Sequence, residues 1–193
     1  MTTIWGRAAA LLILLLAPGL PSAARSDADM SDRTKLGEFL PSAAPSAAPS
    51  VTLTDAAGNA FQLSDFRGKL VVLNLWATWC EPCLREMPSL DRLEAHFGDR
   101  IAVLAVSEDR GGAKIVVPFI AKLGLKSVKV YLDPKSDAGH AFDVRGLPTS
   151  FLIDHDGKVL GRVEGGADWD SAKMLAVIEP FVSGSGVVKA SSR

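Results

Sequence analysis

Trp79-Cys80-Glu81-Pro82-Cys83 constrains this chain more than any other stretch, because Cys80 and Cys83 are the only cysteines in 193 residues. Two thiols separated by two residues at the start of a helix can close a small disulfide ring and open it again. A thiolate metal centre usually takes four ligands. No second cysteine pair or histidine cluster supplies the rest, since His96, His140 and His155 are scattered over three elements. Neither a metal nor another cofactor is therefore expected. A structural staple is also a poor reading, because bridging so short a loop removes little unfolded-state entropy. The pair reads as a redox centre, and the spacing leaves open which redox task it serves.

The surrounding chain falls into four parts. Residues 1–24 carry one basic residue, Arg7, followed by an apolar run from Ala8 to Ala17 and then Pro18, Gly19 and Pro21. Ser22-Ala23-Ala24 puts small residues where a signal peptidase reads. The apolar run is shorter than the roughly 20 residues of a spanning helix. The first reading is a cleaved signal peptide and the second a retained N-terminal membrane anchor. Both place the body outside the cytoplasm, where disulfide chemistry is permitted. Residues 25–50 read as a linker, because Pro41-Ser-Ala-Ala and Pro45-Ser-Ala-Ala lead into Pro49-Ser50 with a period of four. A globular domain is expected over 51–182 and a flexible tail over 183–193. The formal net charge of −1 leaves no basic footprint for nucleic acid.

Within the domain, Val51–Thr54 and Ala60–Leu63 read as a hairpin around Ala57-Gly58-Asn59. Leu70–Trp76 is almost wholly apolar, as for a strand covered on both faces. The helix after the cysteines buries Leu84, Met87, Leu90, Leu93 and Phe97, with Pro88 inside it. Ile101–Val106 is a second buried strand. A helix within Ala113–Leu123 and a short strand over Val128–Tyr131 follow, then a helical turn over Ala138–Phe142. Thr149–Ile153 and Lys158–Val163 pair about Asp154–Gly157. A closing helix is predicted over Trp169–Val182, capped by Asp168. The pattern gives an α/β domain with a mixed sheet.

Val71-Val-Leu-Asn-Leu-Trp-Ala-Thr-Trp-Cys-Glu-Pro-Cys83 resembles the thioredoxin superfamily. Ser64-Asp-Phe-Arg-Gly-Lys69, Arg85-Glu86-Met87-Pro88 and Gly146-Leu-Pro-Thr149 narrow the resemblance to exported thiol–disulfide reductases of the TlpA/ResA type. It covers about residues 51–182. It implies a thioredoxin fold, a mixed central sheet flanked by helices, with an N-terminal β-hairpin and an extra helix–strand insertion between Val106 and Asp133. It also implies a bacterial protein of the periplasm or the outer face of the cytoplasmic membrane. Its partners would be exported proteins bearing disulfides, among them apocytochrome c or copper-centre proteins of respiratory oxidases. A membrane thiol reductase would supply its electrons.

On that resemblance Cys80 is the exposed nucleophile, helped by the unsatisfied N–H groups of the helix start, and Cys83 is the resolving thiol. Pro82 fixes the backbone between them. Glu81 sets a carboxylate beside Cys80, which disfavours the thiolate and in this fold goes with a reductant; the plainer reading is a solvated charge. Glu86 lies three residues after Cys83 on the same helix side and reads as a proton acceptor or a pKa-setting group, against the alternative of a surface carboxylate paired with Arg85. Plain thioredoxins carry a buried Asp where this chain has Asn74, which cannot ionise. Pro148 is expected to be the cis proline facing the dithiol, with the Leu147 backbone pairing to an extended substrate. Trp79 is expected to line that surface, and Trp76 to be core.

Three other functions compete. A disulfide-forming oxidant of this fold would carry His between its cysteines rather than Glu81-Pro82. A peroxidase would place Thr three residues before the reactive Cys, where this chain has Ala77. A copper-binding chaperone would use a wider cysteine spacing with a distant His.

Overall fold

The computed structural model describes residues 37–184. The signal or anchor segment, residues 25–36 of the linker and the tail beyond Gly184 lie outside the described residues. Eight strands form one sheet: β1 Phe39–Ala47, β2 Thr52–Thr54, β3 Ala60–Gln62, β4 Leu70–Trp76, β5 Ile101–Ser107, β6 Lys129–Leu132, β7 Thr149–Ile153 and β8 Lys158–Glu164. Their order is β1-β8-β7-β4-β5-β6-β2-β3. The central β4, β5 and β6 run parallel, and the flanking pairs are antiparallel. The helices are α1 Glu81–Phe97, α2 Ala113–Leu123, α3 Asp137–Ala141 and α4 Ala172–Val182. This is the mixed sheet flanked by helices that the sequence predicts, with β2–β3 as the hairpin and α2–β6 as the insertion.

Every residue of β4 and β5 is buried, and the alternation of side chains explains why. Leu70, Val72 and Trp76 join α1, α2 and α4 in one apolar cluster. Val71, Leu73 and Leu75 face the opposite cluster, closed by Ala138 and Phe142 with Phe61 and Phe66 beside them. A strand sandwiched between two layers has no solvent face on which to place polar residues. Asn74 is the exception in β4, and it sits on the α1 side.

The expected linker gives way at its C-terminal half. Residues 39–47 form the edge strand β1, antiparallel to β8, with Phe39 opposite Val163 and Ala47 opposite Lys158. The four-residue Pro-Ser-Ala-Ala period reads as polyproline, yet proline is tolerated at a sheet edge and at bulges. The register breaks between Pro41 and Ser46, which accommodates Pro45. The body of the protein therefore begins before Val51. Gly161 makes this strand possible, since a Cβ there would meet the Leu40 carbonyl oxygen and the Phe39 ring. Phe39 in turn packs against Phe181 of α4, with ring centroids 6.4 Å apart. Gly161→Val is expected to expel β1 and to lower stability by about 1–3 kcal/mol. Hydrogen exchange would show it as lost protection confined to β1 and β8; uniform protection across both strands would show that the glycine is dispensable.

One further boundary differs. Closing helix α4 begins at Ala172, and its cap is Ser171, whose hydroxyl accepts from the Met174 N–H at 3.3 Å. Asp168 does not cap it, and Trp169 is a fully buried residue of the preceding loop. Helix α1 continues through Pro88, which is exposed. The chain enters β1 at the end of the sheet where β4 leads into the cysteines, because Phe39 pairs with Val163 and Glu164 pairs with Thr149, next to Leu75. At the opposite end, Phe181 and Gly184 line a cleft with Asp154 and His155 of the β7–β8 turn.

Candidate active site

Strand β4 delivers the chain to a short turn, Ala77–Trp79, and helix α1 starts at once. Asp109 pins the turn: its carboxylate accepts from the Thr78 N–H at 2.9 Å and the Thr78 hydroxyl at 2.7 Å, and from Ser107 at 2.8 Å. Cys80 is the N-cap of α1, and its sulfur accepts from the Cys83 N–H at 3.3 Å. Cys80 and Cys83 form a disulfide with Cα atoms 5.3 Å apart. Cys80 retains 4% exposure and Cys83 none, so an external partner reaches only the first sulfur. The unsatisfied N–H groups at the helix start provide the local positive field that favours a thiolate there.

The peptide bond between Leu147 and Pro148 is cis. Thr149 pairs with Leu75, so this bond stands at the end of β4 from which the cysteine turn leaves. Leu147 is half-buried and outside the β7 ladder. Beside it a cleft of about 530 Å³ is lined by Trp79, Glu108, Arg110, Arg145 and Leu147, among others. Trp79 is 73% exposed, while Trp76 is fully buried. An apolar ring of this size left in water next to a reactive disulfide fits a docking surface.

On the other side of the disulfide, a second cleft of about 360 Å³ is lined by Pro82, Arg85, Glu86 and Arg92 with the loop Gly166–Asp168. Glu86 is only 3% exposed. One of its oxygens, Oε2, accepts from the Ala167 N–H at 2.9 Å and the Trp169 indole N–H at 3.1 Å. The other, Oε1, accepts from the Asn74 amide at 2.7 Å. Burial lifts the Glu86 carboxyl to about 7, against the pull of these three donors. The pairing with Arg85 considered from the sequence does not form, because Arg85 reaches Glu81 one turn back on the exposed face. The Glu81 charge is thus shared with a guanidinium.

The structure brings Trp79, Cys80, Glu81, Pro82 and Cys83 together with Leu147 and Pro148, and sets Glu86 and Asn74 behind them. Sequence reasoning missed Trp169, Ser150 and Ser89. The Ser150 hydroxyl oxygen accepts from the Asn74 amide at 2.8 Å. A signal for it was present: Asn74 is the one polar residue of β4, Ser150 is a polar residue of the wholly buried β7, and the two pair directly. Trp169 carried no such signal, since an aromatic near a helix start reads as ordinary core.

Comparison with known proteins gives a consistent result. The sequence profile of the AhpC/TSA family matches residues 45–162. A thiol-disulfide oxidoreductase ResA from Bacillus thuringiensis subsp. konkukian is 38% identical over 119 residues, covering 61% of this chain and 68% of that protein. A putative thiol:disulfide interchange protein DsbE from Chlorobium tepidum superposes with a TM-score of 0.63 at 31% identity, covering 74% of this chain and 97% of that one. An exposed lipoprotein thioredoxin from Streptococcus pneumoniae strain TIGR4 does so with a TM-score of 0.58 at 30% identity, covering 68% and 98%.

Proposed function

The chain belongs to the AhpC/TSA family, among its thiol–disulfide oxidoreductases, and from that premise we propose that it reduces disulfides of exported proteins through Cys80 and Cys83. The observation that carries this reading is the disulfide at the start of α1, in which Cys80 keeps a slight exposure that Cys83 lacks, with the buried Glu86 carboxyl one turn further along the same helix. In the reduced protein the Cys80 thiolate attacks one sulfur of a partner disulfide, and the partner's other sulfur leaves as a thiolate. Cys83 gives its proton to Glu86 and attacks the Cys80 sulfur, releasing the partner's second thiolate. Two electrons have passed to the partner, and the domain is left with the Cys80–Cys83 disulfide described above. The exposed Trp79 and the Leu147 backbone receive the partner's extended segment.

The physiological substrates we propose are exported proteins whose cysteines await haem or copper, apocytochrome c or respiratory copper-centre proteins. A membrane thiol reductase re-reduces the domain. The site of action is the periplasm or the outer face of a bacterial cytoplasmic membrane, in line with the exposed lipoprotein among its structural relatives. No helix among the described residues is long and apolar enough to cross a membrane. A peroxidase reading is disfavoured because the Thr78 hydroxyl is committed to Asp109 and Ala77 has no hydroxyl to orient a peroxide.

Equilibration with glutathione buffers tests the direction of electron flow. The expected reduction potential is about −220 mV or lower. A value near about −120 mV, that of a strong oxidant, would make the protein a disulfide donor instead.

A further inference from the structure

The Glu86 carboxyl is held unequally at its two oxygens. Oε2 takes two N–H donors that cannot reorient. One is the Ala167 backbone. The other is the indole of Trp169, whose ring is fully buried. The Trp169 backbone N–H is itself tied to Ser89 Oγ at 3.1 Å, and the Ser89 hydroxyl donates to the Glu86 carbonyl at 2.7 Å. A proton arriving at Oε2 would face both donors. Oε1 has one partner, the primary amide of Asn74. That amide uses its nitrogen twice, toward Glu86 Oε1 and toward Ser150 Oγ. Its oxygen, Oδ1, is buried and has no hydrogen-bond partner. A buried amide oxygen without a partner costs free energy, and it leaves the Asn74 amide with an acceptor that the observed arrangement does not use.

We propose that Asn74 is a two-state positioning residue whose amide turns over when Glu86 takes up a proton. In the observed arrangement the nitrogen donates to the carboxylate. Turned by about 180°, Oδ1 accepts from the protonated Oε1 and from the Ser150 hydroxyl at the same two places, since a hydroxyl serves as donor or acceptor alike. The turn exchanges one unpaired amide atom for the other and leaves both Oε2 donors in place. The proton lands on Oε1, so the loop Ala167–Trp169 that flanks Pro82 keeps its contacts through the redox cycle. An ionisable Asp at this position would add a second charge to be buried; an amide carries none. Burial of Glu86 places the exchange near neutral pH. The other charged groups facing Glu86 are Arg85, Arg92 and Asp168 across the cleft, with Asp170 paired to Arg92 and Glu81 to Arg85. Strands β4 and β7 carry no charged residue, and among their polar side chains Asn74 bonds to Glu86 and Ser150 to Asn74.

This inference rests on the proposed proton-accepting role of Glu86, and one experiment separates the two. The oxidised protein, in which neither cysteine titrates, is labelled with 13C and 15N and followed by NMR as pH is varied. The Glu86 carboxyl carbon and the Asn74 side-chain NH2 signals are expected to move with one midpoint. The cross-relaxation between those NH2 protons and the Ser150 β-protons is expected to weaken at least twofold on the acidic side. If the carboxyl carbon titrates while the Asn74 NH2 signals and their contact with Ser150 stay fixed, the turning amide is overturned and the role of Glu86 stands. If the carboxyl carbon does not titrate anywhere between about pH 5 and 9, both fall together.

Discussion

Cys83→Ala protein is expected to remain covalently attached to its substrate. Only Cys80 has surface exposure in the disulfide pair, so it is the sulfur that forms the bond to a partner. Release depends on a second thiolate three residues along, one turn into α1 and completely buried. With alanine there, the first exchange proceeds and the second has no nucleophile. Multiple-turnover reduction should fall by about a thousandfold or more, the scale seen when one member of a catalytic set is removed. A disulfide-linked species whose mass is the sum of protein and substrate should accumulate on non-reducing gels. Cys80→Ala should lose turnover equally and form no such species. Accumulation with Cys80→Ala in place of Cys83→Ala would reverse the assignment of the two thiols.

Glu86→Gln is expected to make the protein more stable and less active. The folded carboxyl is raised to about 7 from its ordinary value of 4.5, so over that interval the native state holds a proton that the unfolded chain has released. Wild-type stability therefore falls as pH rises through this window, and the loss is complete above it. The cost at pH 8 is roughly 3 kcal/mol by linkage. Glutamine has the shape of the protonated carboxyl and does not titrate. Guanidinium unfolding of the two oxidised proteins should give a gap that opens between pH 4 and pH 8 in favour of the variant. A gap that is constant with pH would mean that Glu86 does not titrate in this range. Reductase turnover should drop by about a hundredfold, as for loss of a general acid–base group, with the pH dependence near neutrality flattened.

Much of this was legible in the chain because the responsible interactions are local or periodic. The dithiol turn, the all-buried β4 and the apolar stripe of α1 follow from spacing and side-chain alternation. The cis bond at Pro148 came from resemblance alone, since an X-Pro bond carries little local sign of its isomer. What escaped was non-local. Strand β1 has the composition of a spacer, and only a glycine 120 residues away in sequence, Gly161, gives it a groove to lie in. Trp169 acts through its indole N–H on a residue 83 positions earlier. Glu86 was identifiable as a candidate from its place after Cys83, but its burial depends on the loop that folds over it.

The placement of β1 has a practical side. Gly37 stands at the pole that carries the disulfide, while Gly184 sits at the far pole by the β7–β8 turn. An affinity tag, a fluorophore or a linkage to an electrode or bead attached upstream would crowd the approach of a protein substrate. The same attachment made downstream would point the reactive sulfur outward. Immobilised assays built on the two ends should therefore differ in their rates with protein substrates and agree with a small thiol such as dithiothreitol.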